Sequence, residues 1–158
     1  MNNERNLLFV KIIMTITTGE FFGPVLRDIG SSHLQNPDWV GHARFHLAWA
    51  LALMASLGIL NLYLIWVDSK KHTGALYLSF LLQAFNIGGF WIAAIFSNAY
   101  NGNIVIANGD HHISIMGLNE NVFVFIVLAV ILLANFLYFH FGWARPHRLS
   151  SSIAGNAA

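Results

Sequence analysis

The sequence contains no cysteine, only three prolines and very little charge. The absence of cysteine excludes disulfide bonds, thiol catalysis and cysteine-ligated metal sites. Charged residues make up 9% of the 158 residues, whereas soluble domains carry about 25%. So few charges cannot cover the surface of a soluble domain of this size, and 56% of the residues are hydrophobic. The composition therefore predicts an integral membrane protein.

The charge balance also limits the partners. A net charge of +1 provides no basic face, so no nucleic-acid partner is expected. The high apolar content argues against a disordered chain. We expect a multi-pass protein of a plasma or inner membrane, surrounded by lipids. A single chain, a homo-oligomer and a part of a larger membrane complex all stay open.

Long apolar runs predict four membrane-spanning helices, because a helix needs about 20 mostly apolar residues to cross a bilayer. The predicted spans cover residues 7–26, 47–67, 75–96 and 122–143. The first is the weakest, since it contains Lys11, Glu20 and Pro24. The predicted fold class is all-α: an integral membrane four-helix bundle, with one domain over residues 1–149 and a flexible tail over 150–158.

Basic residues predict the orientation, because Lys and Arg accumulate in short cytoplasmic loops. With four spans, six of the eight basic residues fall on one side: Arg5, Lys11, Lys70, Lys71, Arg145 and Arg148. Arg27 and Arg44 fall on the other side. Both termini are therefore predicted to be cytoplasmic.

Histidine is abundant for so apolar a chain, with eight residues. The predicted topology places five of them on the outer side, namely His33, His42, His46, His111 and His112. His42 and His46 are four residues apart, so they share one helix face if the helix begins near Pro37 or Asp38. Asn36 would then cap that helix.

Glu20 lies inside the first predicted span, where an ionisable side chain is rare and faces the bundle interior by default. Pro24 lacks the amide that would bond to the Glu20 carbonyl, so a kink is expected beside Glu20. A buried carboxyl group can donate or accept a proton. The structural alternative is an ion pair between Glu20 and Arg27.

Two chemistries fit these residues. In the first, the five outer histidines hold a transition metal such as Zn, Cu or Fe, since neutral imidazole is the commonest metal ligand. In the second, Glu20 is a metal-free acid or base, and His42 or His46 is its catalytic partner. The side chains predicted to contact the substrate are Trp39, Trp49, Asn86 and Trp91.

The function predicted first is a membrane-embedded enzyme, of the isomerase, cyclase or hydrolase kind, that acts on a lipid-like or isoprenoid-like small molecule. A polar, histidine-rich cap would cover the outer mouth of a cavity that reaches Glu20. The alternative is a metal-binding or structural accessory subunit of a larger membrane complex. A small transporter is a third alternative, because one intramembrane carboxylate fits a proton-coupled carrier.

One stretch resembles a family. Residues 33–46 fit the pattern H-x-x-N-P-x-W-x-x-H-A-[RK]-F-H, which is similar to small four-span membrane proteins of bacteria and fungi known only as a domain of unknown function. Ser32 stands where threonine is expected, and Gly41 where proline is usual. The resemblance implies a four-span fold and no particular activity. It marks as family-typical His33, Asn36, Trp39, His42 and His46.

Overall fold

The structure, a computed structural model, describes residues 2–104 and 113–144. Its α-helices are α1 (Asn2–Thr17), α2 (Gly19–Asp28), α3 (Gly41–Trp66), α4 (Gly74–Ile95) and α5 (Glu120–Leu137). They form four segments long and apolar enough to cross a membrane, because α1 and α2 together make the first segment. The predicted helical, four-span architecture is confirmed. The predicted tail over 150–158 lies outside the described residues.

Short helical elements follow three of the spans. A 3-10 turn at Asp68–Lys70 follows α3, and another at Ser97–Tyr100 follows α4. A π-helix at Tyr138–Ala144 continues α5, so the fourth span reaches Ala144. These extensions explain why the predicted ends, taken from apolar runs alone, differ by a few residues from the observed ends.

A small hairpin precedes α5 and was not predicted. Its strands are β1 (Ser114–Ile115) and β2 (Leu118–Asn119), paired antiparallel. Met116 and Gly117 have φ angles of 54° and 80°, the left-handed conformation that a tight two-residue hairpin turn requires. Asn119 then caps α5 with its side chain. The hairpin therefore fixes where the fourth span begins.

The first span is broken at Thr18, between α1 and α2. The Thr18 hydroxyl donates to the Met14 carbonyl at 2.7 Å, and such back-bonding by threonine bends helices. Within α2, Pro24 has no amide proton, so the Glu20 carbonyl lacks its helical donor. The break thus lies beside Glu20, two positions before it.

The segment that joins α2 to α3 differs from the prediction. α3 begins at Gly41, not at Pro37 or Asp38, and Val40 at its N-terminus provides no side-chain cap. The Asn36 side chain instead accepts a hydrogen bond from the Asp38 amide at 2.9 Å, which closes a turn within the loop. The prediction that Asn36 caps the helix was wrong for this reason.

The helices pack around an apolar core to which every span contributes: Val10, Met14, Ile65, Leu76, Phe80, Ile87, Leu132, Phe139 and Ala144. α2 and α3 approach closely at Gly58, where a Cβ atom would lie 2.6 Å from the Phe22 ring and 3.1 Å from Phe21 Cβ. This contact fixes the position of α2, and with it Glu20, along α3.

The ion pair between Glu20 and Arg27, which was the structural alternative for Glu20, does not form. Arg27 Nη2 lies 2.5 Å from Glu120 Oε1 instead, which links the end of α2 to the start of α5. Arg27 sits at the exposed end of α2, whereas Glu20 points into the bundle with 4% of its surface exposed. Their different depths explain why the helical spacing did not produce a pair.

Candidate functional site

Glu20 is an intramembrane carboxyl group held inside the bundle. It lies near the start of α2, and the Asn86 side chain of α4 is near enough to interact with its carboxyl group, although the two do not meet in hydrogen-bond geometry. Both carboxyl oxygens are buried, and neither has a hydrogen-bond partner among the described residues. The Asn86 amide nitrogen is likewise buried without an acceptor in that part of the chain. Glu20 and Asn86, both predicted as site residues, are therefore brought together.

A buried polar network lies next to this pair. Asn61 of α3 donates to the Thr18 hydroxyl at 2.6 Å, and Ser79 of α4 donates to the Asn61 carbonyl oxygen at 2.7 Å. Gln83 donates to the Met14 carbonyl at 3.3 Å. These bonds join α3 and α4 to the broken first span, so the helix break is held from two sides.

His42 and His46 form a second, separate site on the first turns of α3. Their Nε2 atoms are 3.0 Å apart, and both side chains are exposed. The Trp49 ring follows on the same face, 6.1 Å from the His46 ring. We call this end of the bundle, defined by His33, His42 and His46, the histidine end.

The structure does not bring the histidine pair to Glu20. Phe21 and Phe22, which directly follow Glu20, pack against Gly58. Because Gly58 is twelve positions after His46, the helical rise separates these levels by about 18 Å. Direct proton transfer needs groups within about 3 Å, or one water between them. Glu20 and the histidine pair are two sites.

The other residues predicted as metal ligands are His33, His111 and His112. His33 Nδ1 is 3.0 Å from the Ser32 hydroxyl and 3.6 Å from Asp28. His111 and His112 lie outside the described residues. Within residues 2–104 and 113–144, no three His, Asp or Glu side chains gather closely enough to hold a metal ion. The described histidine end therefore offers one pair of imidazoles.

The tryptophans predicted to contact substrate lie apart from one another. Trp39 packs its ring edge-on against His33, with centroids 5.7 Å apart. Trp49 is 62% exposed. Trp91 packs partly buried against the core, next to Phe90. They do not line a common pocket in this structure.

Glu20 lines neither of two cavities formed by the described residues. An apolar groove of about 560 Å³ runs between α4 and α5, from Tyr77 to Gly88. A second cavity of about 280 Å³ lies beside Tyr100 and Asn121 at the histidine end. The space expected above Glu20 coincides with neither cavity.

Sequence reasoning singled out Asn86 as a site residue but missed the contribution of Thr18 and Ser79. One signal was readable: Ser79, Gln83 and Asn86 recur at helical spacing along one face of an apolar span. Thr18 carries no such signal, because its partner Asn61 lies 43 residues away.

The sequence was also compared with known proteins. A family of unknown function (DUF6640) matches over residues 12–139. No curated protein matches the chain. No solved structure matches it either.

Proposed function

Because the chain belongs to the family of unknown function DUF6640, we propose its function from the geometry of its site. The protein is a membrane-embedded enzyme that acts on a lipophilic small molecule of the lipid or isoprenoid kind. Glu20 is its acid or base. Both termini are cytoplasmic in this proposal, so Glu20 belongs to the outer half of the membrane, in a plasma or inner membrane.

The Glu20 carboxyl group is the observation that carries this proposal. It is 4% exposed, and its oxygens have no partner in the described structure. An ionisable group at such depth is costly and marks function by default. A carboxyl group with a structural role is bonded to another side chain, as Glu120 is to Arg27. The Glu20 oxygens have no such bond in the described structure, so they can bond to a reactant.

Asn86 is the group that positions the reactant beside Glu20. Its amide nitrogen is buried without an acceptor in the described structure, and it faces the carboxyl group. A fixed donor next to an acid or base can hold the reacting atom in place. Isomerases, cyclases and hydrolases can use this combination, because a positioned acid or base accelerates proton transfer to or from the reacting group.

The proposal is tested by isotope transfer from the solvent. Purified protein is reconstituted with lipids from the cells that produce it, in D₂O or in oxygen-18 water. An isomerase or cyclase that moves a proton through Glu20 leaves deuterium on a product carbon, and a hydrolase leaves oxygen-18. Glu20→Gln should lower the rate of label transfer about 10²- to 10⁴-fold, as measured by mass spectrometry.

The control is Glu120→Gln, the same substitution in a carboxylate that pairs with Arg27 outside the site. It should leave label transfer unchanged. The enzyme proposal fails if no lipid gains label in the presence of the wild-type protein. It also fails if Glu20→Gln transfers label as fast as the wild type.

A metal-binding accessory subunit is the second candidate, and the histidine pair favours it. The Nε2 atoms of His42 and His46 lie 3.0 Å apart. This separation suits two ligands on one ion, since Zn–N bonds are about 2.0–2.1 Å long. Both rings are exposed, so the other positions of the ion would be open to water or to a partner protein.

This second candidate predicts a stoichiometric metal-binding step. Titration calorimetry with zinc or nickel should show one site per chain, and His42→Gln or His46→Gln should abolish it, because one imidazole cannot chelate. His72→Gln is the matched control, since His72 is also exposed and pairs with Asp68 four residues before it. Equal binding by all four proteins would contradict the site.

A further inference from the structure

We propose that the Glu20 site recognises its substrate through a hydroxyl group, so that the substrate is a long-chain or isoprenoid alcohol. This inference rests on the proposed function, since it names the substrate class of the same site. The polar atoms around Glu20 that remain without partners carry the argument.

The unpartnered atoms are of two kinds. Around Glu20, four polar atoms are buried without hydrogen-bond partners among the described residues: both oxygens of Glu20, the amide oxygen of Gln83 and the amide nitrogen of Asn86. The Gln83 oxygen accepts and the Asn86 nitrogen donates, whereas the Glu20 carboxyl group accepts and, when protonated, also donates. The Gln83 nitrogen is already used, since it donates to the Met14 carbonyl. The site therefore presents hydrogen-bond donors and acceptors side by side in either protonation state of Glu20.

These atoms lie on facing elements. Gln83 and Asn86 are three residues apart on α4, so they share one helix face. That face meets the first span, because Gln83 bonds to Met14 and Asn86 faces Glu20. A single small polar group between α2 and α4 can therefore reach the Asn86 amide and a Glu20 oxygen together.

A hydroxyl group matches this arrangement. It accepts one hydrogen bond and donates another, so it can accept from Asn86 and donate to Glu20. A carbonyl or ether oxygen only accepts, so it would leave the Gln83 amide oxygen and at least one Glu20 oxygen without a donor. An ammonium group only donates and would leave the Asn86 amide unmatched. A hydrocarbon satisfies neither atom, and buried polar atoms left unpaired oppose binding.

The rest of the molecule must be apolar. The helices around the site are apolar, and Phe21, which directly follows Glu20, is fully buried. A chain that enters from the bilayer meets no charged side chain beyond Glu20 on α2 until Arg27. A polar head with an apolar tail fits a site of this kind.

The test compares matched probes on the protein in lipid nanodiscs. A photoreactive hexadecanol carrying a diazirine on its chain labels the protein, and peptides from α2 and α4 are quantified by mass spectrometry. Unlabelled hexadecanol and its methyl ether, which lacks the donated hydrogen bond, then compete for the label. We expect the alcohol to compete at least about tenfold better than the ether, because a site that bonds a hydroxyl rejects its analogues.

Variants identify the atoms responsible. Asn86→Leu should weaken competition by the alcohol and the ether alike, because both accept a hydrogen bond from the Asn86 amide. The preference for the alcohol should remain, because it comes from the hydrogen bond that the alcohol donates. Asn135→Leu is the matched control, because Asn135 is another buried amide with an unpartnered oxygen, bonded to Val10 rather than near Glu20. Glu20→Gln keeps an accepting oxygen and should keep the preference while losing isotope transfer.

The possible outcomes separate the two proposals. Equal competition by alcohol and ether, or no specific labelling of α2 and α4, overturns the alcohol inference. These comparisons need only the wild-type protein, so a variant that does not fold leaves the test decisive. Alcohol preference without isotope transfer would overturn the enzyme proposal alone. Isotope transfer without alcohol preference would overturn the substrate class alone.

Discussion

At the scale of single residues, Gly58 determines where Glu20 lies in the bundle. Its hydrogen lets Phe21 and Phe22 lie against α3, with the Phe22 ring 2.6 Å from where a Cβ atom would stand. Because Glu20 directly precedes these two phenylalanines, the contact sets its depth in the bundle. The sequence predicted that Glu20 is buried, since a lone intramembrane carboxylate points inward. It did not predict this contact.

Gly58→Ala should therefore destabilise the protein. The added methyl group forces the Phe22 ring or α2 away, and overpacking of this kind costs about 1–3 kcal/mol. Gly89→Ala is the control, because a Cβ atom there meets nothing within 4 Å. The thermal unfolding midpoint in detergent measures both. A midpoint for Gly58→Ala equal to that of Gly89→Ala would contradict the close approach.

At the scale of elements, the spans were predictable and their connections were not. Length and apolar content define the four helices, and a period of 3.6 residues shows which polar positions share a face. Neither property shows that the amide of Gln83 meets a carbonyl 69 residues earlier. The start of α3 was missed because the Asn36 side chain closes on Asp38, a choice between cap and turn that local sequence leaves open.

At the scale of the whole molecule, the two ends of the bundle differ in chemistry. The histidine end carries the exposed pair of His42 and His46, and the opposite end carries the basic residues Lys70 and Lys71. The sequence predicted this division from the count of basic residues in loops. From the sequence alone, Glu20 and the histidines were expected to share one site. Neither the loop sequence nor the helical spacing shows how far apart two groups lie along the axis of the bundle.

The predicted orientation can be tested directly, because the chain contains no cysteine of its own. Lys70→Cys and Asn101→Cys place one thiol at each end of the bundle. With both termini in the cytoplasm, a membrane-impermeant maleimide should label the Asn101→Cys protein on intact cells. It should label the Lys70→Cys protein only after permeabilisation. The reverse pattern would invert the orientation and move Glu20 to the inner half of the membrane.

The polar bonds inside the bundle have a consequence for its assembly. The first span is the least apolar of the four, and its Val10, Met14 and Thr18 accept hydrogen bonds from amides of the other three. Since that span is synthesised first, it must remain in the bilayer until the later helices associate with it. The bond from Asn135 to Val10 spans 125 residues, so this set of three bonds is complete only after the fourth helix has been translated. A chain that lost its first span would carry three buried amides into the membrane without these acceptors.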